Sequence, residues 1–347
     1  MDRVVRVMVV DDSAYVRKVI KQMLSRSPFI EVVGIARDGQ EALEMVEQLR
    51  PDVVTCDLIM PVMDGVSFVR EQMARRPIPI VVVSIANEGS ELALTALDLG
   101  AVDFAQKPTA LATEKILEVS TELIEKVKAA ASVPMARLQT VLDREPPPVS
   151  ALRSKQGNLV DIVVLGISTG GPQALKYLIP QLPADFPVPI VIVMHMPVGY
   201  TEMYAQKLNE LSRLSVIEAH EGDQIKPGTV LFAPAGRHLT LRRLDNNEVV
   251  THLDARPFDS PHRPSVDVLF QSAAEVFGNR TMGVVMTGMG ADGKQGAAWI
   301  KSQGGLIFTE AEQSCVVYGM PGSVVEAGLS DKSIPLEQMA QSILEVV

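Results

Sequence analysis

The sequence predicts two α/β domains, each a doubly wound parallel sheet, joined by a linker. Three observations predict it. Short apolar, β-branched runs alternate with segments of helical period through residues 1–125, and again through 159–347. Between them, residues 126–158 lose both periods and carry Val133-Pro134 and the run Glu145-Pro146-Pro147-Pro148, a composition that keeps a chain extended. Reactive residue types cluster where the apolar runs end, and in a parallel sheet the site lies outside the carboxyl ends of the strands.

The totals narrow the function classes. Charged residues are 21% and aromatics 4% of 347 positions, an ordinary globular composition with room for two cores. A net charge of −10 leaves no positive footprint for phosphate backbones, so nucleic acid is not expected as a partner. Cys56 and Cys315 are the two cysteines and lie far apart. That excludes a disulfide framework and points to a reducing, cytoplasmic compartment. Val4–Val10 is interrupted by Arg6 and followed by Asp11 and Asp12, the wrong flanks for a signal peptide. Val188–Met194 is too short to cross a bilayer, so no membrane insertion is expected.

In the first domain the expected strands are Val4–Val10, Glu31–Ala36, Val53–Leu58, Ile78–Ser84 and Val102–Gln106. Asp38, three residues before Glu41, reads as a capping pair. Gly100 reads as the residue that ends a helix. A last helix carries Ile116, Ser120, Leu123, Ile124 and Val127 on one side, and Met135–Leu142 has the pattern of a short helix inside the linker. Asp11, Asp12, Asp57, Ser84 and Lys107 all fall at strand ends. Three carboxylates there repel unless a cation sits among them, and Mg²⁺ suits few carboxylates plus a phosphoryl group. A carboxylate can accept a phosphoryl group, Lys107 can neutralise it and Ser84 can hydrogen-bond it. Cys56 faces the other side of its strand and reads as a core residue.

The segments VVDDS (Val9–Ser13), DLIMPVMDG (Asp57–Gly65), Ser84 and GAVDFAQKP (Gly100–Pro108) resemble a two-component receiver domain, flavodoxin-like in fold. The resemblance implies that a sensor histidine kinase donates a phosphoryl group to Asp57. It implies that Asp11, Asp12, Asp57 and the Ile59 carbonyl hold Mg²⁺, and that Ser84, Phe104 and Lys107 are the switch positions.

In the second domain the expected strands are Asp161–Leu165, Pro189–Met194, Thr229–Ala233, Met282–Thr287 and Leu306–Phe308, with a β-rich insertion around His238–His252. The run Val160–Pro172 passes from a strand through Gly166, Ser168, Thr169, Gly170 and Gly171 into a helix opened by Pro172. Ser168 then sits beside a helix N-terminus, where it can serve as a nucleophile, cap the helix or help cradle a phosphate. His195 ends the second strand and Asp292 lies in the glycine-rich loop after a later one. A serine needs a base, and the base an acid to hold it, and backbone N–H groups near Thr169 or Met289 could stabilise an oxyanion. His220, His238, His252 and His262 compete for the base role. GISTG fits the nucleophile elbow of α/β-hydrolases, but their order is serine, acid, histidine, whereas here it is Ser168, His195, Asp292. A dinucleotide loop is disfavoured because Ser168 occupies the second glycine position of G-x-G-x-x-G. No metal-ligand spacing appears in this domain, so no cofactor is expected there. A non-enzymatic second domain that only binds a partner is the competing class.

GISTGGPQAL (Gly166–Leu175), HMPVGYT (His195–Thr201), APAGRHL (Ala233–Leu239), HRPSVDVLF (His262–Phe270), TGMGADG (Thr287–Gly293) and VVYGMP (Val316–Pro321) resemble the Rossmann-like catalytic domain of the chemotaxis protein-glutamate methylesterases. The resemblance implies hydrolysis of glutamate γ-methyl esters on methyl-accepting chemoreceptors and deamidation of receptor glutamines. It implies Ser168 as nucleophile, His195 as general base, Asp292 as the acid that orients it, and Thr169 and the Met289 N–H near the oxyanion. It further implies that the receiver covers the catalytic cleft until Asp57 is phosphorylated. The sequence departs at Pro197–Thr201, PVGYT where the family more often has PPxFT, which puts the substrate-facing rim in question.

Overall fold

Five short runs form the first sheet, four of them buried on nearly every residue and the edge run Ile30–Ala36 only partly. A computed structural model describes residues 3–85, 90–108, 113–142, 159–257 and 260–347. In chain order the first unit runs β1 (Val5–Val10), α1 (Ala14–Leu24), β2 (Ile30–Ala36), α2 (Gly39–Leu49), β3 (Val53–Cys56), α3 (Gly65–Arg75), β4 (Ile80–Ser84), α4 (Ser90–Asp98), β5 (Asp103–Gln106), α5 (Thr113–Ala131) and α6 (Met135–Leu142). The sheet is parallel in the order β2-β1-β3-β4-β5. Its switch point lies between β1 and β3, where Asp11, Asp12 and Asp57 follow the strands. Asp38 accepts from Glu41 N–H at 2.9 Å while Glu41 accepts from Arg37 N–H at 2.8 Å, so the expected pair does cap α2.

The expected linker, 126–158, begins inside a helix. Helix α5 continues to Ala131, with Val127 and Ala130 fully buried, and α6 follows with Leu138 buried. The buried stripe persists because the last turns of α5 still cover apolar surface. The first compact unit accordingly extends to Asp143 and the second starts at Arg144. The proline run at 145–148 lies outside the described residues.

The second unit runs β6 (Ile162–Ile167), α7 (Gly171–Leu178), β7 (Ile190–Met194), α8 (Thr201–Leu211), β8 (Ser215–Glu218), β9 (Thr229–Phe232), β10 (His238–Arg243), β11 (Val249–Asp254), α9 (Val266–Phe277), β12 (Thr281–Val285), α10 (Lys294–Ser302), β13 (Leu306–Glu310), α11 (Met320–Glu326), β14 (Lys332–Ile334) and α12 (Leu336–Leu344). Seven strands make one parallel sheet in the order β14-β13-β12-β6-β7-β9-β8, and β10-β11 is a separate antiparallel hairpin. The hairpin is the expected β-rich insertion. The edge strands β8 and β14 had no expectation in the sequence. Each is short and buries one residue, Val216 or Ile334, too little to give a period. Chain order reverses beside β6, between β12 on one side and β7 on the other, so ligands are expected at its carboxyl end.

Candidate functional site

Ser168, His195 and Asp292 leave the sheet at neighbouring strand ends. Ile167 of β6 is in register with Met194 of β7, so Ser168 and His195 are the next residues on adjacent strands. His195 N–H donates to the Ile167 carbonyl at 3.1 Å, and Ser168 N–H donates to the Thr287 carbonyl at 2.9 Å. Pro172 lies in the first turn of α7, and Ser168 is half-buried at its mouth. The loop after β12 passes directly beside it. A Cβ on Gly288 would lie 2.8 Å from Ser168 Cβ and 2.5 Å from Met320 Sδ, so only glycine lets this loop approach the serine. Thr287 fixes the loop from both sides. Its hydroxyl donates to the Thr169 carbonyl at 2.9 Å and accepts from Val317 N–H at 3.0 Å. Its own N–H donates to the fully buried Glu310 carboxylate at 2.9 Å. The VVYGMP segment therefore braces this loop, with the Gly319 and Met320 N–H groups both donating to the Gly288 carbonyl.

Asp292 faces His195, with Oδ2 2.8 Å from Nε2. The side chains are 10% and 6% exposed, enough burial to keep water from competing for that bond. The other ring nitrogen, Nδ1, is buried with no hydrogen-bond partner. A neutral imidazole that donates from Nε2 keeps its lone pair on Nδ1, so the ring is poised to accept a proton there. The Ser168 hydroxyl does not bond His195 in this resting arrangement, and such bonds often tighten only with substrate present. Asp292 also accepts from Ser265 Oγ (2.9 Å), Val266 N–H (2.8 Å) and Asp267 N–H (2.9 Å) at the start of α9. Burial pushes its carboxyl up, but the His195 bond and charge, with these N–H donors, outweigh burial and hold it well below the usual carboxylate range.

The competing histidines separate by position. His238 is buried and structural. It accepts from Ser265 N–H at Nδ1 (3.2 Å), so its other nitrogen donates to the Pro257 carbonyl (3.1 Å), and burial lowers its pKa. His252 pairs with Glu221 at 2.8 Å, and His220 is exposed near Asp223. His262 stacks on His195, ring centroids 4.1 Å apart. Ser265, Asp267, Glu310 and the stacking of His262 were not anticipated. The HRPSVDVLF segment was the only signal for three of them.

In the first unit Lys107 Nζ bridges two carboxylates, donating to Asp57 Oδ2 at 2.7 Å and lying 2.9 Å from Asp11 Oδ2. Asp57 Oδ1 accepts Leu58 N–H at 2.7 Å. Ligand atoms of Asp11, Asp12 and Asp57 lie within 4.8 Å of one another, the one such group among the described residues. Burial lifts the Asp11 carboxyl above its ordinary value despite Lys107. Lys107 itself is lowered by burial, yet its bonds to Asp57 and Asp11 raise it overall. A divalent cation fits this donor set, since hard oxygen ligands are concentrated where one lysine only partly balances them. Ser84 is buried at the end of β4, its carbonyl accepting Lys107 N–H at 2.8 Å and its hydroxyl 3.4 Å from the Ile85 carbonyl. Phe104 is buried under the Lys126 ammonium, 5.5 Å from its centroid. Cys56 is a buried thiol pushed up by burial and by Asp57, which marks it as a core residue and not a nucleophile.

Comparison with known proteins identifies both domains. A family model described as CheB methylesterase matches residues 163–343, and one described as response regulator receiver domain matches residues 7–119. The protein-glutamate methylesterase/protein-glutamine glutaminase 5 of Myxococcus xanthus is 49% identical over 336 residues, 96% of each chain. The protein-glutamate methylesterase/protein-glutamine glutaminase of Thermotoga maritima is 41% identical over 348 residues, covering 100% of this chain and 99% of the relative. The crystal structure of the Thermotoga maritima CheB methylesterase catalytic domain superposes with a TM-score of 0.53 at 43% identity. It covers 54% of this chain and 99% of that one.

Proposed function

The chain belongs to the CheB methylesterase family and carries a response regulator receiver domain ahead of the esterase domain; from that premise we propose that it is a cytoplasmic, phosphorylation-switched serine hydrolase acting on methyl-accepting chemoreceptors. It removes methyl groups from glutamate γ-esters and deamidates glutamines. The observation that carries this reading is His195, tied to Asp292 through Nε2 with Nδ1 open, at the strand end next to Ser168.

Ser168 Oγ attacks the ester carbonyl carbon while its proton passes to His195 Nδ1. Asp292 stabilises the resulting imidazolium and remains a carboxylate. The oxyanion is met by N–H groups of the loops at Thr169 and Met289, a preorganised source of stabilisation in a water-poor cleft. His195 returns the proton to the leaving oxygen, and methanol departs. Water then cleaves the acyl-serine by the same proton route. With a glutamine substrate the leaving group is ammonia.

On the receiver, a sensor histidine kinase donates a phosphoryl group to the Asp57 carboxylate. Asp11, Asp12, Asp57 and the Ile59 carbonyl would hold Mg²⁺, which when bound offsets the negative charge gathered there. Lys107 releases Asp57 and pairs with the phosphoryl oxygens, the Ser84 hydroxyl bonds another, and Phe104 is the side chain that responds. This charge change shifts the protein from a restrained to an active population.

The test is methanol release from methylated receptor by the full chain with a phosphodonor present. Ser168→Ala is expected to release none above background. Release equal to the parent contradicts the nucleophile assignment, and no release by the parent contradicts the esterase reading.

A further inference from the structure

Two helix N-termini meet at the triad carboxylate, and each is capped by an aspartate from the other. Asp292, just ahead of α10, accepts the Val266 and Asp267 N–H groups that open α9. Asp267, in the first turn of α9, uses its Oδ1 to accept the N–H of Gly293 at 2.9 Å and of Gly296 at 2.7 Å, which open α10. Asp267 thus grips both the Asp292 side chain and the backbone that follows it. Its backbone donates to the Asp292 carboxylate, and its carboxylate anchors the very next peptide. The first four N–H groups of a helix have no partner of their own, so each aspartate satisfies donors that would otherwise be orphaned. The helices are in close contact here. A Cβ on Gly296 would lie 2.5 Å from Phe270 Cβ and 3.0 Å from Asp267 Cα.

We infer that Asp267 is a positioning residue for the hydrolysis, holding Asp292 against His195 by clamping the α9 and α10 N-termini together. The inference rests on the esterase reading for its kinetic consequence but not for its geometry. Asp267 touches neither Ser168 nor His195 through any hydrogen bond, so it acts only through Asp292. Burial lifts its carboxyl to about 6, with the nearby Asp292 charge adding to the rise against the lowering by the Gly296 and Gly293 N–H bonds. This site is distinct from an ordinary cap because both donors go to one oxygen. Asparagine keeps that oxygen as an acceptor for both N–H groups, so Asp267→Asn preserves the clamp. Asp267→Ala removes it.

The experiment compares the full-length parent with Asp267→Ala and Asp267→Asn by two readouts. The first is the downfield imidazole N–H proton resonance of His195, identified by its loss in His195→Gln. It is expected to persist in the parent and Asp267→Asn and to be lost or shifted upfield in Asp267→Ala. The second is methanol release. Asp267→Ala is expected to lower kcat about 10- to 100-fold with KM within about twofold, the scale of a misplaced group, and Asp267→Asn to recover most of kcat. An unchanged resonance in Asp267→Ala, or a loss in Asp267→Asn as large as in Asp267→Ala, overturns the inference. Should Asp267→Ala fail to fold, the Asp267→Asn result alone decides, since a clamp predicts retention of the resonance and of activity. A parent that releases no methanol while the resonance responds as expected leaves the clamp supported and removes the esterase reading instead.

Discussion

His195, Ser265, Val266 and Asp267 all donate to the Asp292 carboxylate, and this convergence gives the residue its role. A carboxylate so held stays charged through the acidic range, so it can stabilise an imidazolium wherever His195 cycles. Replacing it with asparagine keeps the shape but loses the charge, and one donor must turn to face another donor. Asp292→Asn is expected to lower kcat by roughly 10⁴-fold with little change in KM, the scale seen when a triad acid is neutralised. Steady-state methanol release measures it. Asp267 makes a separate prediction about pH. Its folded value of about 6 lies above the ordinary 3.8, so the folded state favours its protonated form. The associated stability is present below about pH 4 and is lost as pH rises through about 6. Asp267→Asn cannot ionise, so its melting temperature relative to the parent is expected to be higher at pH 7.5 than at pH 4. A difference that does not vary with pH contradicts the burial of this carboxyl. In the receiver, Lys107→Met leaves Asp11 and Asp57 buried without their cation. The expected loss of stability is about 3 kcal/mol, smaller when Mg²⁺ is present, by denaturant titration with and without the ion.

Elements explain which parts of the site could be read in advance. Ser168, His195 and Asp57 were legible because each follows a strongly apolar strand, with Lys107 after the shorter Asp103–Gln106 and Asp292 in the glycine-rich loop beyond Val285, and strand ends in a parallel sheet converge. Asp267, Ser265 and Glu310 were not. Their work is to accept or donate backbone hydrogen bonds across helix N-termini and loops, and no periodicity in the chain marks which peptide an aspartate will cap. The end of α5 was misjudged for a related reason. Its last turns hold Val127 as their one large apolar residue, yet Val127 and Ala130 still face the core, and Lys126 reaches the Phe104 carbonyl at 2.6 Å and Asp103 at 3.0 Å from within that surface. The contact of α9 with α10 offers a test at this scale. Gly296→Ala introduces a methyl group where Phe270 Cβ already sits. Forcing the helices apart is expected to cost about 1–3 kcal/mol and to lower kcat by moving Asp292, and both effects should appear in one variant by thermal melts and methanol release.

At the scale of the whole molecule, the two compact units carry two kinds of chemistry that need different things. The receiver gathers buried charge around Asp57, where a single phosphoryl transfer changes the local balance most. The esterase domain holds the His195 ring on Asp292 with its other nitrogen unpaired, an arrangement that needs no covalent change. Such a site benefits from an external restraint, and a receiver on the same chain can supply one. Among the described residues no helix is long and apolar enough to cross a membrane. The chain spans nearly the full length of the curated relatives it matches. The most direct measurement is the rate of methanol release from methylated receptor by the full chain, with and without a small acyl phosphate as phosphodonor, beside Asp57→Asn and Ser168→Ala. The parent is expected to accelerate several-fold or more with the donor, Asp57→Asn to keep a low rate that does not respond, and Ser168→Ala to release nothing. A parent rate indifferent to the phosphodonor, or Ser168→Ala activity equal to the parent, contradicts a serine esterase switched through Asp57.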